Sequence, residues 1–293
     1  MFKSFSRSLH TVTSGTKYTS GYKKYLTDGN HNVQSFFHDV PINFNKSNGT
    51  INMIVEIPRY EQGKFEISKE LPLNPIVQDT KKDKMRFINN IYPFNGYPCN
   101  YGAIPQTWED PTLPIEIGGS RYFGDNDPLD ICEISSGFTH IGNQKTVKIL
   151  GALAMIDDGE MDWKLISIDI SDKLAPQLND IEDIEIHMPN LLADLTKWFK
   201  NYKLPMGKPE NQFEFNGRWL NKSKALAIVE ECHQRWELLV NKKSTGSKLP
   251  TVFNNTLDKT PDYSKVSHVD IVTSETHPSH VPAEARDIYY YKN

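Results

Sequence analysis

Apolar and polar positions alternate in short runs through the first half of the chain and recur at helical spacing in the second. Ile51-Asn-Met-Ile-Val-Glu-Ile57 is rich in β-branched residues and stops at Pro58. In Lys64-Phe-Glu-Ile67, Phe65 and Ile67 share one face of a strand, and Lys64 and Glu66 share the other. The same reasoning predicts strands at 84–89, 129–135, 146–156 and 163–170. Proline and glycine clusters at 93–98, 110–114 and Asp158-Gly159 separate them. Short strands punctuated by turn signals predict a closed β-barrel. Two helices follow. Leu191, Leu192, Leu195, Trp198, Phe199 and Tyr202 form one apolar stripe after Pro189. Asn221 can cap a second helix whose stripe holds Ala225, Val229, Cys232, Trp236 and Leu239. From residue 242 onward the period dissolves. The segment is polar and proline-containing, and it reads as an extended tail with Tyr289, Tyr290 and Tyr291 as docking residues.

Composition narrows the class. A chain of 293 residues, 38% hydrophobic and 24% charged, can bury a core without disulfide staples. Cys99, Cys132 and Cys232 are odd in number and form no CxxC, which fits a reducing compartment. No apolar run approaches the roughly 18 residues of a membrane span. The net charge of -4 argues against nucleic acid as a partner. That charge is unevenly spread. Residues 1–27 hold Lys3, Arg7, Lys17, Lys23 and Lys24, ten Ser or Thr, and no acid. The leader thus carries +5 and the rest -9, which is -4 less 5. Basic, hydroxyl-rich and acid-free, it reads as a mitochondrial transit peptide, giving a matrix location with cytoplasm as the alternative. The chain then divides into a leader (1–27), a catalytic domain (28–240) and a tail (241–293).

The densest chemistry lies in Gly124-Asp-Asn-Asp-Pro-Leu-Asp130. Three carboxylates on one turn repel each other unless a cation sits among them. Hard oxygen ligands with no Cys or His among them suit a divalent ion such as Mg²⁺, Mn²⁺ or Ca²⁺. An EF-hand loop is excluded, because its required Gly and Glu positions carry Asp130 and Ser136. Asp157-Asp-Gly-Glu-Met-Asp-Trp-Lys164 adds a second acidic turn, with Asp162 and Lys164 on one face. Lys64 with Glu66, Arg86, Tyr97, Tyr101, Tyr202 and Lys203 supply basic and aromatic groups. Carboxylates for metals beside cations for oxyanions are what phosphoryl chemistry requires.

These motifs resemble the soluble, Mg²⁺-dependent family I inorganic pyrophosphatases of eukaryotic type. The resemblance rests on Val55-Glu-Ile-Pro-Arg59, Asn74-Pro-Ile-Val-Gln-Asp-Thr-Lys81, Asn100-Tyr-Gly102, Pro105-Gln-Thr-Trp-Glu-Asp-Pro111, Asp125-Asn-Asp-Pro-Leu-Asp-Ile131 and Lys208-Pro-Glu-Asn-Gln-Phe213. It spans residues 33 to 240. It implies a mainly β (α+β) fold: a five-stranded OB-like barrel with flanking helices and an extended C-terminal tail. It also implies hydrolysis of pyrophosphate to two phosphates by in-line attack of a metal-bridging hydroxide. Asp125, Asp130 and Asp162 would bind the tighter Mg²⁺, and Asp130 would also reach a second ion. Glu66 and Asp157 would hold further ions, and Glu56 would complete the acidic shell. Asp127 would take the proton of the attacking water. Lys64, Arg86, Tyr101, Lys164, Tyr202 and Lys203 would grip phosphate, with Tyr97 close by. Mn²⁺ or Zn²⁺ would substitute, and Ca²⁺ would inhibit. A homodimer would form through Arg59 and Tyr60. The rival readings are a non-catalytic cation-binding OB-like module and a hydrolase of an organic pyrophosphate.

Overall fold

The computed structural model describes residues 9–266, 269, 271–273 and 277–291. Two sheets form its centre. The smaller begins with β1 (His10–Ser14) and β2 (Lys23–Thr27). The larger contains β3 (Thr50–Ile57). Next in the chain come β4 (Phe65–Ile67) and β5 (Ile76–Gln78), which join the smaller sheet in the order β1-β2-β5-β4, while the short strand Val33–Gln34 pairs with β2 off this path. The larger sheet adds β6 (Asn100–Ala103), β7 (Asp130–Glu133), β8 (Gln144–Asp157) and β9 (Glu160–Asp169). Its order runs β9-β7-β6-β3-β8, and β8 also pairs with β9. Each of these strands therefore has two partners within the set. The fold is mainly β with few helices.

Strand β3 explains why its sequence is nearly all apolar. Ile51, Met53 and Val55 pack with Ala225, Val229 and Cys232 of α3 (Lys222–Val240), while Ile54 joins the other core cluster. Both faces are covered, so polar residues are rare along it. Glu56 shares the parity of Ile54 and is buried at 4% exposure. It is the one carboxylate in the strand, and the site claims it.

The predicted helices are present. α2 (Leu191–Asn201) buries Leu192, Leu195, Trp198 and Phe199, and Asn221 caps α3 by accepting from Lys224 N at 3.1 Å. A further helix, α1 (Ile181–His187), was not anticipated, although Asp180 and Asp183 form a capping box in front of it. The strand expected over 84–89 shrinks to Lys84–Met85, one arm of a hairpin with Thr80–Lys81. Polar residues at the hairpin tip give it no face to bury.

Described residues near both ends of the chain pack into the domain. Within the expected leader, residues 10–14 and 23–27 form β1 and β2, and Tyr22, Tyr25 and Leu26 are buried. A boundary at residue 27 would cut through this sheet. Residues 1–8 lie outside the described residues. In the tail, Val252 is buried, and Tyr289–Tyr290 pairs in parallel with Asn90–Ile91. Among the described residues no helix is long and apolar enough to cross a membrane.

Candidate active site

Strand register assembles the site. Ala103 of β6 lies opposite Asp130 of β7, and Asp130 lies opposite Lys164 of β9. Side chains alternate along each strand, so Tyr101, Asp130, Asp162 and Lys164 emerge on one face. A slip of one residue would send all of them to the other side. Gly102 permits the close approach this needs, because a Cβ there would lie 1.9 Å from Ile54 O. Gly124 plays the same part at the signature turn, where a Cβ would lie 2.3 Å from the carbonyl carbon of Glu109.

The resulting cavity is about 230 Å³ in volume. Every site residue expected from sequence lines it: Glu56, Lys64, Glu66, Arg86, Tyr97, Tyr101, Asp125, Asp127, Asp130, Asp157, Asp162, Lys164, Tyr202 and Lys203. Lys164 Nζ donates to Asp130 and Asp162, and to the Tyr101 hydroxyl at 2.9 Å. Tyr101 in turn donates to Asp130 Oδ2. Lys203 pairs with Asp157, which also accepts from the Tyr202 hydroxyl at 3.3 Å. Lys64 pairs with Glu66. Tyr202 lies on the apolar stripe of α2, stacked on Trp198, yet its hydroxyl reaches the site.

Electrostatics mark the cavity as a place that wants cations. Burial, then repulsion from Asp127, Asp162 and Asp130, drives the Asp125 carboxyl well above its usual range. Glu56 is raised by burial and then by Asp130. Burial also lifts Asp162 to about 7, against the opposing pull of Lys164. Asp127 is pushed up to about 6 by burial, with Lys69 opposing. For Lys64 burial works against the charge, but Glu66 and Asp79 outweigh it and hold the ammonium well above its ordinary pKa.

Three residues, Glu109, Asp79 and Lys69, were not singled out from sequence. Glu109, Asp125 and Asp162 each offer a carboxylate oxygen, all within 4.8 Å of one another. Glu109 Oε2 is buried with no hydrogen-bond partner among the described residues, while Oε1 accepts from Trp163 N at 3.0 Å. Convergent oxygens with an orphaned lone pair are the chemistry of a divalent-cation site. Asp79 binds both Arg86 and Lys64. Lys69 reaches Asp127 at 2.8 Å. Glu109 and Asp79 stand inside the family motifs, but spacing alone does not show their direction. Arg59, expected at a dimer contact, donates from Nη2 to Ser135 O at 2.8 Å, and Tyr60 is 61% exposed.

Comparison with known proteins agrees with this geometry. The family model described as inorganic pyrophosphatase matches residues 53–237. The mitochondrial inorganic pyrophosphatase of Saccharomyces cerevisiae is 48% identical over 287 residues, covering 97% of this chain and 90% of that protein. The solved inorganic pyrophosphatase of Schistosoma japonicum superposes with a TM-score of 0.87 at 41% identity, covering 97% of this chain and 100% of that one. A truncated vacuolar soluble pyrophosphatase of Trypanosoma cruzi, solved with PPi, superposes at 0.74 with 37% identity, covering 83% of this chain and 95% of that one.

Proposed function

The chain belongs to the inorganic pyrophosphatase family and hydrolyses inorganic pyrophosphate to two phosphates; we propose that it does so by direct in-line attack of water on one phosphorus, with Asp127 accepting the proton. The observation that carries this reading is the convergence of carboxylates with Lys64, Arg86, Lys164 and Lys203 on one cavity. The donor set is all carboxylate oxygen, which suits Mg²⁺. Asp125, Asp130 and Asp162 would hold the tighter ion, with Glu66, Asp157 and Glu56 completing the shell. When bound, Mg²⁺ supplies charge neutralisation for the phosphates and makes water at the site more acidic.

The remaining steps belong to the side chains. Lys64, Arg86, Lys164 and Lys203 bind the phosphate oxygens and fix the substrate in line. Tyr101 and Tyr202 donate hydroxyl hydrogen bonds, and Tyr97 walls the cavity. Water oxygen bonds to one phosphorus while the bridging P–O bond breaks. The electron pair leaves with the second phosphate, where Arg86, Lys64 and Lys203 meet the developing charge. The water proton passes to Asp127.

Asp127→Asn tests the role. It should lower kcat by about 10² to 10⁴-fold, the usual worth of a general base. Mg²⁺ binding measured by calorimetry should persist. Unchanged turnover would remove Asp127 from this step.

The ring of strand pairings supports an OB-like closed five-stranded barrel. The name of the Saccharomyces relative supports a mitochondrial location. The exposed Tyr60 supports a second copy docking beside Arg59.

A further inference from the structure

Lys69 stands apart from the other lysines of the site. Lys64, Lys164 and Lys203 line the cavity, whereas Lys69 does not. Its ammonium approaches Asp127 Oδ1 at 2.8 Å. The main chain of Asp127 is already fixed: its N–H donates to Asp125 Oδ1 at 2.9 Å, and its carbonyl accepts from Glu109 N at 2.9 Å. What the backbone leaves undetermined is the rotation of the carboxylate, and Lys69 sets it by engaging one oxygen.

The loop that carries Lys69 is held in turn by the C-terminal tail. Thr251 N donates to Lys69 O at 2.8 Å, and Thr251 Oγ1 donates to Leu71 O at 3.1 Å. Asn74 Nδ2 donates back to Thr251 Oγ1 at 3.2 Å. Thr251 O is fastened to the core by buried His38. Trp236 Nε1 can only donate, so His38 Nδ1 accepts from it at 2.9 Å. The imidazole proton is therefore on Nε2, which donates to Thr251 O at 2.9 Å. A few residues earlier, Lys248 O accepts from Asn126 Nδ2 at 2.9 Å, inside the signature turn itself. One stretch of tail thus grips both the loop of Lys69 and the turn of Asp127.

We propose that Lys69 is a positioning residue for the Asp127 carboxylate, and that tail residues 248–251 act as a strap that holds Lys69 in place. With Oδ1 committed to Lys69, Oδ2 is the oxygen presented to the attacking water. This rests on the reading of Asp127 as proton acceptor. The strap gives the tail a part in turnover without contact to substrate. An effective-geometry argument sets the scale, since displacing a reacting group by about 1 Å can cost on the order of 10²-fold in rate.

The test is steady-state pyrophosphate hydrolysis by full-length variants with saturating Mg²⁺. Lys69→Gln should lower kcat by about tenfold or more with KM changed less than about threefold, and Lys69→Arg should restore most of it. Thr251→Val should lower kcat about threefold in the native background and have no effect in the Lys69→Gln background. In an Asp127→Asn background, Lys69→Gln should cost little. Native kcat in Lys69→Gln, no rescue by arginine, or additive effects of Thr251→Val and Lys69→Gln would each overturn the proposal. Native turnover in Asp127→Asn alone would instead overturn the assignment of the base, which keeps the two failures distinct.

Discussion

Arg86 and Asp79 are joined twice, main chain to main chain by Arg86 N donating to Asp79 O at 2.8 Å, and side chain to side chain through Nη1 and Oδ2. Lys64 shares the same carboxylate oxygen at 3.3 Å. Burial disfavours the Asp79 charge, but Lys64 and Arg86 outweigh it and hold the carboxyl below its usual range. Asp79 is therefore the anion that lets two cavity-lining cations, Lys64 and Arg86, stand side by side. Asp79→Asn keeps the shape and removes the charge, leaving Lys64 and Arg86 to repel each other. It should raise KM and lower kcat, for a combined loss in kcat/KM of about 10- to 100-fold, or about 1.4–2.7 kcal/mol. Phosphate release kinetics check this, and a native kcat/KM would show that substrate alone orders the pair.

The contrast between Asp79 and Asp125 shows what a sequence makes legible. Asp125, Asp127 and Asp130 crowd one turn, and the electrostatic cost of that crowding points to a cation from residue spacing alone. Asp79 and Lys69 are single charges among other charges, and their meaning depends on where distant loops meet. The strands at 50–57, 144–157 and 160–169 were readable because runs rich in apolar residues must be buried. β1 and β2 were not. Lys23-Lys-Tyr-Leu-Thr27 places two lysines in a strand inside the smaller sheet, and the basic, acid-free composition of the segment has the look of a targeting segment. No strand was read there from the sequence, yet Tyr22, Tyr25 and Leu26 of this segment are buried. The tail was illegible for another reason. Thr251 and Asn255 are anchored by hydrogen bonds to Asn74, His38 and Asp39, far away in sequence, and such anchors leave no periodicity.

Removing residues 1–8 and removing residues 1–27 should therefore differ sharply. The shorter deletion leaves β1 and β2 whole. The longer one exposes the sheet at β5 and strips Tyr22 and Leu26 from the core, where each such side chain contributes about 1.5–3 kcal/mol. It also removes Lys17, which pairs with Glu61, and Tyr18, whose hydroxyl donates to Glu61 at 2.8 Å. Thermal unfolding should show the 1–8 deletion within about 2 °C of the full chain and the 1–27 deletion at least ~10 °C lower or insoluble, on the usual conversion of free energy to melting temperature. Equal melting points would mean that β1 and β2 add nothing to the domain.

Stability should respond to pH and metal together, through the cavity carboxylates whose pKa is raised. Asp162 is raised to about 7 by burial against Lys164, and Asp127 to about 6 by burial against Lys69. An unfolded aspartate titrates at about 3.9. Between these values the folded, metal-free protein holds protons that the unfolded chain has released. The contribution of these two groups to stability is then largest at low pH and is lost as pH rises through roughly 4 to 7. A divalent cation reverses this, because it takes over the charge that the protons neutralised and binds best when they are gone. Mg²⁺ at about a hundred times its dissociation constant should add about 2.7 kcal/mol. For a protein of this size that is a rise of roughly 5–10 °C in Tm at pH 8. At pH 5.5 the rise should be less than half as large, and chelation should remove it at both. A calorimetric scan series with and without Mg²⁺ measures all four values. An Mg²⁺ shift independent of pH would mean that the groups holding the ion are not the buried carboxylates of this cavity.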